Sequence, residues 1–272
     1  MDRLQKESPR IKQNRDLYLM KHYFTLTKHL AKREITVRYK QSFLGLFWVI
    51  LNPFMQMLIM SFVFSFVFKF NMPGVPYPIF MFTGLVPWIF FTGALTSSMS
   101  ALVDGAGLLK KIYFPREILL LSTILAKAFD MSLSLIVLVG MMVFYQIPIT
   151  WHVLLFIPIF LMQAVFVMGL GMILSVLNLF YRDVQYLVGL GITLLFYLTP
   201  VLYQVEAFPE QYRWIFKVNP MSVFINAYRQ ILLAHDVPKW ESMAVGIGVS
   251  LLIFFVGYRF FKKAEGSFAD MV

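Results

Sequence analysis

The sequence contains no cysteine, which excludes disulfides, thiolate nucleophiles and cysteine-bound zinc or iron–sulfur centres. Charge is scarce. Asp, Glu, Lys and Arg make up 14% of the 272 residues, where soluble domains carry about 25%. The four histidines, His22, His29, His152 and His235, are scattered without metal-ligand spacing, so no metal site is expected. No G-x-x-x-x-G-K-[ST] phosphate loop occurs. The stretch from Gly105 to Lys111 is glycine-containing and basic, but its spacing does not cradle a nucleotide. Acidic residues within the apolar tracts are Asp130 and, at an edge, Glu117. A membrane-embedded acyl- or glycosyltransferase needs carboxylates or histidines gathered at one membrane face, so an enzyme is not expected.

What the sequence has instead is apolar residues, 59% of the chain, gathered in long charge-free tracts. One of them runs for 51 positions between Asp130 and Arg182. A helix crosses the hydrocarbon core in about 20 apolar residues, so this tract holds more than one crossing. Backbone groups in lipid must pair internally, which leaves helices or a closed barrel. Continuous apolar runs lack the alternation of a barrel strand. The expected fold is an all-α membrane protein with six transmembrane helices, at about 44–68, 80–103, 117–145, 152–178, 184–204 and 243–261. They belong to one transmembrane domain over 41–262, preceded by a basic segment over 1–40 and followed by a tail over 263–272.

Residues 1–40 carry eleven basic side chains, too many for a cleaved signal peptide. Leu17, Met20, Phe24, Ala31 and Ile35 recur at helical spacing, with Leu19, Tyr23, Leu26 and Leu30 on the adjoining row. This pattern predicts a basic amphipathic helix lying in the membrane interface. With the N-terminus inside, the cytoplasmic segments hold 18 Lys and Arg. The outer segments hold five: Lys69, Arg213, Lys217, Arg229 and Lys239. That asymmetry, with an even number of spans, predicts both termini in the cytoplasm.

Several residues stand out against this background. Lys127 and Asp130 lie roughly 16 Å into the third span, at about 1.5 Å per residue, and their i,i+3 spacing predicts a pair on one helix face. Arg33, Arg38, Lys40 and Arg182 sit at the cytoplasmic boundary, where guanidinium and ammonium groups suit an anionic phosphate headgroup. Asn219-Pro220 predicts a helix start, asparagine as N-cap and proline at the first position. Phe224, Tyr228, Ile231 and Leu232 would line one face of that helix, and Phe208 to Phe216 forms a second short amphipathic piece. Trp48, Trp88, Trp151, Trp214 and Trp240 fall near span ends, as expected of interfacial belts.

Five stretches carry a family resemblance: LAKREITVRYKQSFLGLFWVILNPFMQ (30–56), LLKKIYFPREILLLS (108–122), YRDVQYLVG (181–189), YLTPVLY (197–203) and VNPMSVFINAYRQILL (218–233). In this order and spacing the chain resembles type 2 ATP-binding-cassette exporter permeases of the polysaccharide group. Those permeases export O-antigen, capsule-type polysaccharide or wall teichoic acid on lipid carriers across the bacterial cytoplasmic (inner) membrane. The resemblance implies two copies of this chain with two separate ATPase subunits, which would bind the ATP and magnesium. It implies a coupling helix around Gly107, Leu108, Leu109, Lys110 and Lys111. It also implies that the first and fifth spans line the substrate path, with Phe47, Trp48, Phe54, Phe196, Tyr197 and Tyr203 as stacking platforms for sugar rings. Re-entrant outer gate helices would hold Phe208, Trp214, Phe216, Phe224 and Tyr228. No carbohydrate-binding domain is expected on this chain. A small-molecule exporter of the same superfamily predicts a larger insertion between the first two spans, and a passive channel needs no ATPase.

Overall fold

The computed structural model describes residues 9–40, 45–67, 74–111 and 114–271, with side chains of 9–20, 66, 67, 269 and 270 outside that description. The expectations for Leu17, Leu19 and Met20 and for Lys69 therefore lie outside the described residues. Among those described, the regular structure is all helical, with no strand. Helix α1 covers Pro9–Tyr39, α2 Phe47–Phe62 with a π turn Val63–Val67, and α3 Tyr77–Asp104. A single turn, α4, follows at Ala106–Leu109. Then come α5 (Glu117–Phe144), α6 (Phe156–Phe180) and α7 (Val184–Leu198). The remainder is α8 (Trp214–Val218), α9 (Pro220–Arg229) with a π turn Gln230–Ala234, α10 (Trp240–Ala264) and α11 (Phe268–Met271).

Among the described residues, five stretches are long and apolar enough to cross a membrane: Phe47–Ser65, Tyr77–Asp104, Glu117–Phe144, Trp151–Phe180 and Trp240–Ser267. They match five of the six predicted spans. The fifth predicted span is shorter than expected, because α7 stops at Leu198 after 15 residues. The proline at 200 disfavours helical backbone at the residue before it, and Thr199 is extended (φ −109°, ψ 134°). The apolar run continues past this break, which is why composition alone carries the span to 204.

Helix α3 is the central post. Most of it is buried among α5, α6, α2 and α9, including Phe82, Phe91, Ala94 and Leu102. This places Trp88 in the core at 5% exposure, packed on Phe91 and Phe196, and not in an interfacial belt. Starting at Tyr77, α3 carries Trp88 to its middle. Trp48, Trp151, Trp214 and Trp240 are exposed. Helices α6 and α10 pack through glycine. A Cβ on Gly169 would lie 2.6 Å from the backbone of Phe254, and one on Gly257 would strike the carbonyl oxygen of Gly169. Small residues permit such close approach where lipid provides no hydrophobic drive between helices.

Helix α1 and the C-terminal helices meet at one end of the bundle. Tyr23, Leu26 and Leu30 of α1 pack against the cluster that holds Leu109, Phe261 and Phe268. Phe24, expected on the apolar face of α1, is 72% exposed, because the row through Tyr23, Thr27 and Ala31 is the one turned inward. Within the segment read as a tail, Phe268 is fully buried, and Arg116 lies over its ring and donates to the Glu265 carbonyl. At the other end, the Asn219 side chain accepts from the Met221 N–H at 3.0 Å, the predicted N-cap with Pro220 behind it. Asn219→Ala is expected to lower stability by about 1 kcal/mol, read as a fall in detergent melting temperature.

Candidate functional site

A cleft of about 690 Å3 opens beside α3, walled by α2, α5 and α7 and floored by the end of α1. Trp48, Asn52 and Gln56 come from α2, Trp88 and Thr92 from α3, and Thr193, Phe196 and Tyr197 from α7. The lining thus alternates aromatic faces with amides and hydroxyls. Its two outer walls are thinly supported. α7 has no buried residue, with Tyr186, Leu187, Leu190 and Tyr197 all more than half exposed, and α2 exposes Phe47, Trp48, Ile59 and Phe62.

Charge is concentrated at the end of the cleft nearest α1. Asp130 Oδ2 accepts from Arg38 Nη1 at 2.6 Å, and Asp130 Oδ1 accepts from the Tyr39 hydroxyl at 3.0 Å. Arg38 Nη2 donates to Glu34 Oε1 at 2.9 Å. Lys127 Nζ stands 3.7 Å from Asp130 Oδ2, and its stem lies along Gly93 of α3. The predicted Lys127–Asp130 pair is present, but the shorter contact joins Asp130 to α1. Two cations and two anions balance, as burial this deep requires. Burial pushes the Glu34 carboxyl up, and Arg38 beside it pulls the other way.

Of the predicted path residues, the cleft gathers Trp48, Phe196 and Tyr197. Phe47 is exposed, Phe54 is half-buried against the main core, and Tyr203 belongs to a separate aromatic group. That group joins Tyr203, Phe208 and Phe216, with ring centroids 5.0 to 6.0 Å apart. The predicted gate residues therefore divide. Phe224 and Tyr228 are fully buried in the core, and Trp214 is exposed. Arg33 lines a second cleft of about 390 Å3, between α1 and the turn at α4, with Leu30, Glu34, Asp104 and Leu108. Lys40 and Arg182 are exposed and line neither cleft. Around α4, Gly107, Lys110 and Lys111 face outward and Leu108 is half-buried. Leu109 is buried at 8% in the chain's own core.

Residues 25–233 match the ABC-2 type transporter family. The chain belongs to that family. Among curated relatives, this ABC-2 chain is 34% identical over 262 residues to the O-antigen export system permease protein RfbA of Myxococcus xanthus, covering 95% of this chain and 98% of that one. It is 31% identical over 256 residues to the protein of the same name from Klebsiella pneumoniae, covering 94% and 98%. The polysialic acid transport protein KpsM of Escherichia coli is 23% identical over 250 residues, covering 87% and 92%. The ABC-2 chain is a multi-pass membrane protein with several apolar crossings.

Three features of the site escape a reading of the sequence. Arg38 and Asp130 are 92 positions apart, and no periodicity links them. Gln163 of α6 donates to the Pro87 carbonyl at 2.9 Å and accepts from the Tyr228 hydroxyl at 3.0 Å, joining α3, α6 and α9. An amide in the middle of an apolar run was the available signal. Arg229, counted from sequence among outer basic residues, is buried at 7%. Its signal was a cation on the same short helix as Phe224 and Tyr228.

Proposed function

We propose that this chain is the permease subunit of an ABC exporter that carries a lipid-linked polysaccharide from the cytoplasmic leaflet outward. Two copies would act with two separate ATPase subunits that bind the ATP and magnesium. The observation that carries the reading is near-full-length likeness to O-antigen export permeases, together with a cleft suited to sugars. A sugar ring presents an apolar C–H face and a rim of hydroxyls. Trp48, Phe196 and Tyr197 offer faces to the first, and Asn52, Gln56, Thr92 and Thr193 exchange hydrogen bonds with the second. The exposed α2 and α7 supply the surface on which a second copy would close the cleft. Wall teichoic acid remains within the same class of cargo; the names of the relatives favour an O-antigen type.

The shared end of the bundle, holding α1, α4 and the Phe268 turn, is the cytoplasmic face in this reading, with both termini on it. The ATPase seats on Gly107, Leu108, Lys110 and Lys111. The carrier's phosphate meets Arg33, Lys40 and Arg182, which are exposed there, while Arg38 is already engaged by Glu34 and Asp130. Leu108→Asp is expected to abolish export with membrane level unchanged, because a carboxylate replaces an apolar contact in the seat. Surface glycan and chain abundance are measured in cells whose only copy carries the change. Normal surface glycan in that strain removes the coupling role. Normal surface glycan in cells lacking the chain altogether removes the export reading itself.

A further inference from the structure

The segment that follows α7 is buried from Thr199 to Leu202, and side chains from other helices take up its carbonyls. Past Leu198 the helix cannot continue, so the carbonyls there have no intrahelical partners, and in lipid such groups must be satisfied internally. The Leu198 carbonyl accepts from Asn219 Nδ2 at 3.4 Å and the Leu202 carbonyl from the Tyr77 hydroxyl at 2.8 Å. Between them, Arg229 Nη1 donates to the Pro200 carbonyl at 2.5 Å and Nη2 to the Val201 carbonyl at 2.7 Å. The same guanidinium lies 3.6 Å from the centroid of the Phe80 ring of α3, a cation–π stack. Gly84 makes the room, since a Cβ there would sit 2.7 Å from Arg229 Nη2.

We propose that Arg229 is a positioning residue that fastens the outer end of α7 to α9 and α3. The cleft wall and the short outer helices then move as one body. α7 buries no residue of its own, so the wall is joined to the outer helices chiefly through the buried segment from Thr199 to Leu202, which this guanidinium grips at its middle. An arginine is needed, because its planar fork bonds two carbonyls while lying flat on a ring, which an ammonium does not do. The inference rests on the export reading only for the purpose of the joint movement, which is to open the outer mouth as the wall shifts.

The absence of native cysteine allows direct measurement. Spin labels on cysteines at Leu190 and Val218, both exposed, report the distance between α7 and the outer helices in the full chain. The native background is expected to give one narrow distance. Gly84→Ala, which displaces the guanidinium while leaving the charge in place, and Arg229→Lys are each expected to lose it to a broad or split distribution. An unshifted narrow distance in either inserted variant overturns the proposal. Should both be lost from the membrane, the milder Phe80→Leu carries the same test, with the same broadening expected and an unshifted distance decisive against it. The reading needs no cargo. Intact distances in a chain that exports no glycan would sink the export function and leave the fastening in place.

Discussion

Asp130→Asn is expected to destabilise the chain by about 3 kcal/mol, at the lower end of what breaking a buried ion pair costs. The carboxylate receives Arg38 at 2.6 Å, the Tyr39 hydroxyl at 3.0 Å and Lys127 at 3.7 Å. Removing its charge leaves Arg38 and Lys127 with Glu34 as the one remaining carboxylate of the cluster between α1 and α5. The side chains retain 17–29% exposure, which is why the lower end applies. Arg38→Gln with Asp130→Asn is expected to recover much of the loss, since both sides of the shortest contact become neutral. Lys127→Met alone is expected to cost about 1 kcal/mol, the range of a longer, partly exposed pair. Melting in detergent ranks the three. Lys127→Met as damaging as Asp130→Asn would show that the helix-internal pair, and not the bond to α1, carries the energy.

Gly257→Val is the second large effect, with about 3 kcal/mol expected at the upper end of overpacking costs. At most buried positions a new methyl pushes aside the tip of a flexible side chain. Here the first atom met is the backbone oxygen of Gly169, with the Gly169 carbonyl carbon 3.0 Å away. Neither helix can yield without separating α6 from α10 along its length. Gly248→Ala, on the same helix with nothing within 4 Å, is the control and is expected to be neutral. A Gly257→Val chain that melts with the native protein would mean that the two helices do not approach this closely.

The helical crossings were legible because lipid imposes a length and a polarity on whole segments. Five of the six predicted spans match helices of the expected extent. Asn219 and Pro220 were legible because capping is local. What escaped depends on how distant segments meet. The apolar run through Pro200 hid the end of α7, though the proline itself stood in view. Leu108 and Leu109 are neighbours with like chemistry, and only the orientation of a one-turn helix decides that Leu109 faces inward. Arg229 reads as one more charge in an outer loop until Phe80, Gly84 and the break after α7 assemble around it. In each case the residue type was visible and the neighbour was not.

The export account is tested most directly in vesicles. This chain and an ATPase subunit from the same transport system are co-reconstituted, and a lipid-linked glycan is supplied in the outer leaflet on the ATP side. The account predicts glycan becoming protected in the lumen only when both polypeptides and ATP are present. Protection by this chain alone without ATP, or ATP hydrolysis by the purified chain alone, would contradict it.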